Sequence, residues 1–511
     1  MTPIPNATHL TAPLAGQRPS AAPPVWLLPV LALAFTLYRA WVIVHLNIDP
    51  YVDEAYYWGW AQALDWGYYS KPPLIAGLIA LCQGLFGDNL LALKAPSLIL
   101  YPAAALVIQR LGQRLFDARI GFWAGLAFLT LPIVSALGLF VSTDAPLLFF
   151  WALGMLLLWP TLQTGALAGW LAIGLVSGLG LMSKYTMAAF VGSAFLTLLA
   201  HPGGWRHLLR PGPWLALLVA FAVFAPNLWW NWQTGFPTFQ HTAEITRIGG
   251  TAGAERGFKP GEFFEFMGAQ WVSFGPLLTI GLAWALLRLR GLWADTRFRF
   301  VLMMVLPLLL VVGMQALTGR ANGNWAAPIF VGGCVLVPAF LAQGGSGRWR
   351  LMVAAVALNL LLAPIAYHWP DLLRAAGKEV TSRNDPYKRA RGWQAFSAAV
   401  RPYLAEQTAA HADLVLLSDD RETLAQLIYH LRPARYARWQ PQAHINDHYG
   451  LTAPLTLNSG KHFLLVTDRA DSGAIAGRFA VAERLGDVDI AVYPKLHRRA
   501  TVWLLRDFQG Y

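Results

Sequence analysis

Asp53 and Glu54 stand side by side just past the first long apolar run, and a lysine, Lys71, follows within the aromatic-rich stretch that ends in Lys71-Pro72-Pro73-Leu74. Ionisable groups beside a bilayer are costly to keep and mark function. A carboxylate there, partly shielded from water, can take a proton from an acceptor hydroxyl as a general base, or it can ligate a divalent metal cation. Both acids also suit the positive end of a helix dipole, with a helix beginning near Ala55. A lysine holds a phosphate as a point charge. Carboxylates and a phosphate-binding cation at one membrane surface point to an enzyme acting on a charged, lipid-borne substrate.

Two further sites carry the same chemistry. Asp144 lies in VSTDAPLLFF, where Pro146 two residues on makes a helix N-cap an equal reading. Lys184 lies in GLMSKYT, a tight connection between two apolar runs, where a basic residue calls for an anionic partner such as a lipid phosphate. Lys71, ahead of two prolines, belongs at the mouth of the next helix, although its stem also suits interfacial snorkelling.

The elements that position these residues follow from composition. Of 511 residues, 56% are hydrophobic and 13% are charged. A soluble domain carries about 25% charged residues. Many apolar runs reach or approach the roughly 18 residues that read as a membrane span. The sequence therefore predicts an α-helical polytopic membrane protein of about 11 transmembrane helices plus interfacial helices. The spans fall near 25–46, 90–110, 119–140, 145–162, 165–182, 185–200, 213–231, 271–288, 300–317, 325–343 and 350–368. Residues 1–24, rich in Pro, Ala and Thr, read as a disordered tail, and 25–370 as the membrane domain.

Charge orients the spans. The net charge of +12 is the excess expected of cytoplasmic loops, so nucleic acid is not implied. Basic clusters at Arg110–Arg119, Arg206–Arg210, Arg288–Arg299 and Arg348–Arg350 fall on one side when the N-terminus is cytoplasmic. Asp53, Lys71, Asp144, Lys184 and the 232–270 loop then share the outer side. This arrangement needs the short apolar stretch from Pro72 to Phe86 to lie along the interface. Cys82 and Cys334 sit far apart in apolar runs and suggest neither a disulfide framework nor a cysteine metal site.

The 232–270 loop carries His241, Glu244, Arg247, Glu255, Arg256 and Lys259, and reads either as a mobile cover or as a disordered connector. PNLWWNW (226–232) reads as an aromatic belt or a sugar platform. Arg320, Asn322 and Asn324 form another polar cluster on the outer side. Beyond residue 370 the pattern changes. LVLLSDD and HFLLVTD are short strands, and Thr423 to His430 is helical, so 371–511 reads as a small, outer, water-soluble α/β domain. Within it, His444, Asp447 and His448 offer metal ligands at close spacing. No P-loop, dinucleotide fingerprint or HExxH motif occurs.

The succession VDEAYYWGWAQAL, YYSKPPLIAG, VSTDAPLLFF and GLMSKYT resembles the polyprenyl-phosphate-dependent glycosyltransferases of the C-type membrane fold, over about residues 25–340. The aminoarabinose transferases that modify lipid A and the protein O-mannosyltransferases are the most similar groups. The resemblance implies Asp53 as the catalytic carboxylate, with Glu54 beside it and Asp144 as a further acid. It implies Lys71 and Lys184 as contacts of the lipid phosphate, and Glu244 and Arg247 as loop contributions; Tyr185, His241 and Arg320 join them as substrate-binding candidates. Ser70 stands where the lipid A aminoarabinose transferases carry an acid, which leaves sugar and acceptor open. The implied reaction moves a monosaccharide from a polyprenyl (undecaprenyl) phosphate donor to a lipid or glycolipid acceptor, with inversion, at the outer face of a bacterial inner membrane. Transfer to protein is an alternative, and a lipid or sugar transporter is a rival of another class. Transporters, however, place their polar residues near the midplane on broken helices.

Overall fold

The computed structural model describes residues 22–246 and 257–511. Helix α1 (Leu27–Leu46) is followed by two shorter helices, α2 (Val52–Gln62) and α3 (Leu74–Phe86). Then come α4 (Leu90–Leu115), α5 (Ala118–Thr130), α6 (Pro132–Leu137), α7 (Asp144–Thr164), α8 (Leu167–Ser183), α9 (Ala188–Ala200) and α10 (Pro211–Gln233). After α11 (Pro237–Thr246) run α12 (Pro260–Phe274), α13 (Pro276–Leu287), α14 (Leu289–Leu292), α15 (Thr296–Thr318), α16 (Ile329–Ala342), α17 (Gly345–Tyr367) and α18 (Trp369–Ala375).

Among the described residues six helices (α1, α4, α7, α10, α15 and α17) are long and apolar enough to cross a membrane, and the bent pair α12–α13 makes a seventh if counted as one span. The protein is a multi-pass membrane protein. Local chemistry sets the helix ends. The Asn89 and Asp117 side chains accept from the Ala92 and Ile120 amides at 2.9 and 2.7 Å and cap α4 and α5. Small residues let helices touch: a Cβ on Gly112 of α4 would come within 2.8 Å of the Gly121 backbone of α5. Every residue of α16 is buried, as expected of a helix that is apolar all round and surrounded by others.

Two expected spans are corrected. The run 119–140 is not one helix: Pro132 cannot continue the hydrogen-bond ladder, so α5 stops at Thr130 and α6 begins anew. The run 271–288 is broken at Gly275: its first residues end α12, the rest form α13, and the two helices are bent by 112° there. That glycine has φ +89° and the Asn359 side chain against it, so a Cβ there would meet both strain and collision. The long 232–270 loop is partly helical, in α11 and the first part of α12. Its glycine-rich part, Arg247 included, and the N-terminal tail up to residue 21 lie outside the described residues.

The basic clusters meet at one end of the bundle. The Arg119 guanidinium lies 3.8 Å from the Trp349 ring centre, Arg297 lies 5.2 Å from Phe116, and Arg299 donates to the Ala200 carbonyl at 2.9 Å.

The chain ends in an α/β unit. Strands β1 (Val415–Ser418), β2 (Tyr436–Arg438), β3 (His462–Thr467), β4 (Phe479–Tyr493) and β5 (Leu496–Phe508) form one sheet in the order β2-β1-β3-β5-β4. Pairing around β1 is parallel and around β5 antiparallel. Helices α19 (Trp393–Ala410) and α20 (Arg421–Leu431) cover one face. That face does not meet water. Val52, Tyr56 and Trp60 of α2 and Ile75 and Ile79 of α3 form one continuous apolar cluster with Phe396, Leu424, Ile428, Tyr449 and Leu464. The α/β unit is therefore packed onto α2 and α3 rather than tethered to the bundle.

Candidate active site

The expected acids and lysines converge on one cavity of about 660 Å³, lined by Asp53, Glu54, Lys71, Asp144 and Lys184 together with Tyr51, Tyr57, Asn322, Asn324 and residues 386–390. Four places in the chain bring them there: the start of α2, the connection between α2 and α3, the start of α7, and the end of α8.

Glu54 is buried to 1% exposure and is fully engaged. Its oxygens accept from Lys94 Nζ at 2.8 and 2.6 Å, from the Val141 amide at 2.7 Å and from the Tyr51 amide at 2.8 Å. Lys94 itself is 0% exposed, in the second turn of the apolar α4. One carboxylate thus ties α2 to α4 and to the strand of chain leading into α7. Asp53, one residue earlier, points to the other side. Its side chain is 45% exposed and accepts from Arg421 Nη1 at 3.0 Å. Arg421 begins α20, so the α/β unit supplies the cation that pairs with Asp53; its guanidinium also lies 5.1 Å from the Tyr56 ring centre.

Asp144 is not a cap. Its side chain makes no bond to the α7 amides; instead Oδ1 accepts from Lys184 Nζ at 2.8 Å and Oδ2 from Asn324 Nδ2 at 2.9 Å. Lys184 therefore has its anionic partner within the protein. Lys71, half-buried, has no carboxylate within ion-pair distance among the described residues. Its pKa falls from 10.5 to about 8, chiefly because the cavity wall desolvates it and because Lys184 is near, against the pull of Asp144 and Asp53.

Lys71 and Lys184 also line a second space of about 350 Å³, an apolar groove walled by Pro72, Tyr185, Ala189, Ile245, Leu308, Val311 and Val312. The two lysines thus stand where a polar chamber meets an apolar one. Tyr185 belongs to the groove and not to the chamber; its hydroxyl donates to Asn227 Oδ1 at 2.8 Å.

Other expected residues lie elsewhere. His241 lines neither space. It packs on Tyr69, with ring centres 5.1 Å apart, and burial together with Lys71 and Arg421 lowers its pKa to about 4, leaving it neutral. Glu244 pairs with His444 Nε2 at 3.1 Å, a contact between α11 and the α/β unit. Arg320 is exposed and does not reach the cavity, although Asn322 and Asn324 of its cluster do. The suggested trio His444, Asp447 and His448 does not converge. Asp447 caps its helix through the Gly450 amide and pairs with Arg438, while His448 is buried against Tyr68 and Trp60. In PNLWWNW, Trp229 and Trp232 are exposed, whereas Trp230 is buried and donates to Asp65 Oδ2 at 2.6 Å; none of the three lines the cavity.

Sequence reasoning missed Lys94, Arg421, Lys388 and Arg389. Lys94 had a signal: a lysine inside an apolar span demands a carboxylate. Arg421, Lys388 and Arg389 had none, because their proximity arises only when the α/β unit folds back.

The comparisons with known proteins meet this geometry. A family model described as dolichyl-phosphate-mannose-protein mannosyltransferase matches residues 70–230. Along 452 residues the chain is 32% identical to the lipid A galacturonosyltransferase RgtD of Rhizobium johnstonii, covering 86% of this chain and 90% of that one. The chain belongs to the polyprenyl-phosphate-sugar-dependent membrane glycosyltransferases. Within this family it is also 30% identical, over 169 residues (31% of this chain and 30% of the relative), to the undecaprenyl phosphate-alpha-4-amino-4-deoxy-L-arabinose arabinosyl transferase of Pseudomonas paraeruginosa. Its fold matches the crystal structure of ArnT from Cupriavidus metallidurans bound to undecaprenyl phosphate, with a TM-score of 0.64 at 16% identity over 94% of this chain and 98% of that one. As a glycosyltransferase, the chain is an enzyme whose acids and lysines share one chamber.

Proposed function

We propose that this glycosyltransferase moves a monosaccharide from an undecaprenyl-type phosphate to a lipid A-type acceptor at the outer face of a bacterial inner membrane, with inversion at the anomeric carbon. The carrying observation is the position of Lys71 and Lys184, which line both the polar chamber and the apolar groove. A polyprenyl tail fits the groove and its phosphate the two ammonium groups. In the reaction the bond between the anomeric carbon and the phosphate oxygen breaks, and the lipid phosphate leaves as an anion. Such a leaving group needs cations more than a proton. Asp53, open to the chamber, receives the acceptor's hydroxyl proton as the new bond to the anomeric carbon forms. Arg421 orients that carboxylate. Glu54, with its oxygens taken, holds Asp53 in place through the first turn of α2. Each carboxylate of the chamber is engaged by a cation or by backbone amides, so a divalent metal bound there would have to displace Arg421 from Asp53 or Lys184 from Asp144.

A hexuronic acid is the sugar best supported, because the similarity to RgtD runs the length of the chain whereas that to the arabinosyl transferases covers a third. The exposed Lys388 and Arg389 on the chamber wall suit its carboxylate. For the topology, the six long helices, the bent pair, and α5, α8, α9 and α16 make eleven crossings, with α3 along the interface. The positive-inside rule puts the joined arginine loops in the cytoplasm, and the chamber and the α/β unit outside. Residues 371–511 then act as a soluble domain that covers the chamber and selects the acceptor.

The test is transfer from a panel of radiolabelled undecaprenyl-phosphate sugars into membrane fractions, comparing wild type with Asp53→Ala. Label from the uronic acid donor in the lipid fraction with wild type alone is expected. Label in protein would replace the acceptor. Full transfer by Asp53→Ala would remove Asp53 as the base.

A further inference from the structure

Outside the chamber, three side chains from three helices converge with no role in the chemistry above. His45 lies in the last turn of α1, His368 directly follows α17, and Asp371 is in the first turn of α18. Asp371 Oδ2 lies 3.2 Å from His45 Nε2 and 3.4 Å from His368 Nδ1, and all three donor atoms fall within 4.8 Å of one another. Among the described residues no other three histidine, cysteine or acidic side chains converge in this way.

We propose that His45, His368 and Asp371 form a site for a divalent transition metal of the zinc class. Donor chemistry selects the ion: two imidazoles with one carboxylate favour zinc over magnesium or calcium, which take oxygen. The distances agree. Donors about 2.0–2.1 Å from a tetrahedral zinc lie about 3.3–3.4 Å apart along each edge, and two of the three edges already have that length. The third closes by rotation of the exposed His45 ring. The surroundings are those of metal ligands. His368 Nε2 bonds the Tyr38 hydroxyl at 3.0 Å, which fixes the ring with Nδ1 facing the site, and Arg374 holds the other Asp371 oxygen at 2.8 Å. Trp41 stacks on His45, with ring centres 4.8 Å apart. One dication would satisfy both ring nitrogens and the carboxylate together, and three protein ligands leave a fourth position open.

The site joins the end of the first span to the exit of the last. From that exit Trp369 Nε1 donates to the Asn384 carbonyl at 2.9 Å and Tyr387 Oη to the Ala366 carbonyl at 3.1 Å, so the clamp fixes the segment whose residues 386–390 wall the chamber. It is a structural metal site beside the chamber, separate from the glycosyl transfer chemistry.

The experiment uses untagged, full-length protein in detergent, stripped with a chelator and titrated with Zn2+ and with Co2+. One Zn2+ per chain, visible absorption of tetrahedral Co2+, and a rise in melting temperature with Zn2+ are expected. His45→Ala/His368→Ala abolishes all three, and Tyr38→Phe weakens Zn2+ about tenfold while leaving the fold intact. Should the double variant not fold, Asp371→Asn supplies the same test. His444→Ala, which removes a different exposed histidine–carboxylate contact, keeps the stoichiometry. Wild type that takes up no Zn2+, variants that bind as wild type does, or loss of the ion in His444→Ala would each overturn the site.

Discussion

Two carboxylate–lysine pairs frame the chamber, each joining residues 40 apart in sequence, and their surroundings differ entirely. Glu54–Lys94 is sealed: both side chains are at most 1% exposed and the carboxylate is saturated by amides as well. Asp144–Lys184 forms the chamber wall, and its lysine is 12% exposed and faces the groove too. The same two residue types therefore do different work. A sealed pair has no capacity left for a substrate and serves to hold helices. A pair on the wall can exchange its carboxylate for a phosphate with little rearrangement, and Lys71 beside it has no carboxylate partner to give up among the described residues.

Breaking the sealed pair has the largest expected effect. Lys94→Met leaves a charged carboxylate buried, which costs about 3–5 kcal/mol, read as a fall in melting temperature and in monodisperse yield. Glu54→Gln/Lys94→Met removes both charges and recovers most of that loss while keeping transfer activity per folded molecule. A stable but inactive double variant would show that Glu54 takes part in the chemistry and would erase the contrast. Next comes Lys184→Met. Transfer drops about 10²–10³-fold, the scale for losing one donor to a developing anion; melting falls too, because Asp144 is itself buried, but by less than in Lys94→Met, since the lysine is partly exposed and Asn324 still holds Oδ2. If Lys184→Met unfolds the protein as Lys94→Met does, the two pairs are alike.

This contrast also marks what the sequence could carry. Asp53, Lys71, Asp144 and Lys184 were legible because each stands at the edge of an apolar run, on one side of the charge-oriented bundle, and the chamber collects all four. Separating Glu54 from Asp53 was not possible from local pattern: adjacent residues in the first turn of a helix point about 100° apart, and only Lys94 shows which side is sealed. The apolar periodicity located the helices but not the breaks, because Pro132 and Gly275 interrupt runs whose hydropathy continues across them. Arg421 reaches Asp53, and residues 386–390 reach the chamber, through packing between segments hundreds of residues apart, which leaves no local pattern.

Lys71 sharpens the comparison by pH. With its pKa near 8, where desolvation and Lys184 place it, Lys71 is charged below pH 8 and progressively neutral above. Affinity for undecaprenyl phosphate should fall as pH rises past about 8, by at most about tenfold per unit for one titrating group. Lys71→Arg stays charged throughout and flattens the curve between pH 7 and 9. Stability moves the other way. Between about 8 and 10.5 the unfolded chain holds more protons than the folded one at this position, so this residue's contribution strengthens with pH. Calorimetry of lipid phosphate binding and thermal melting over one pH series separate the two. Binding that does not change across pH 8 in the wild type would remove Lys71 from the phosphate site and leave Lys184 alone at the junction.

The smallest effect belongs to the cation that the α/β unit brings. Arg421 and Asp53 are 32% and 45% exposed, so water and salt screen them, unlike Lys94 and Glu54. Exposed pairs of this kind contribute about 0.2–1 kcal/mol. Arg421→Gln should therefore leave melting nearly unchanged and slow transfer by no more than about fivefold. A rate that wild type loses with added salt should become insensitive to salt in the variant. The apolar cluster that joins α20 to α2 keeps the unit docked without this pair. A collapse of activity in Arg421→Gln, with the unit still docked by protease protection, would mean that Arg421 does more than orient Asp53. It would then contact the sugar or the acceptor, and the α/β unit would supply part of the substrate site.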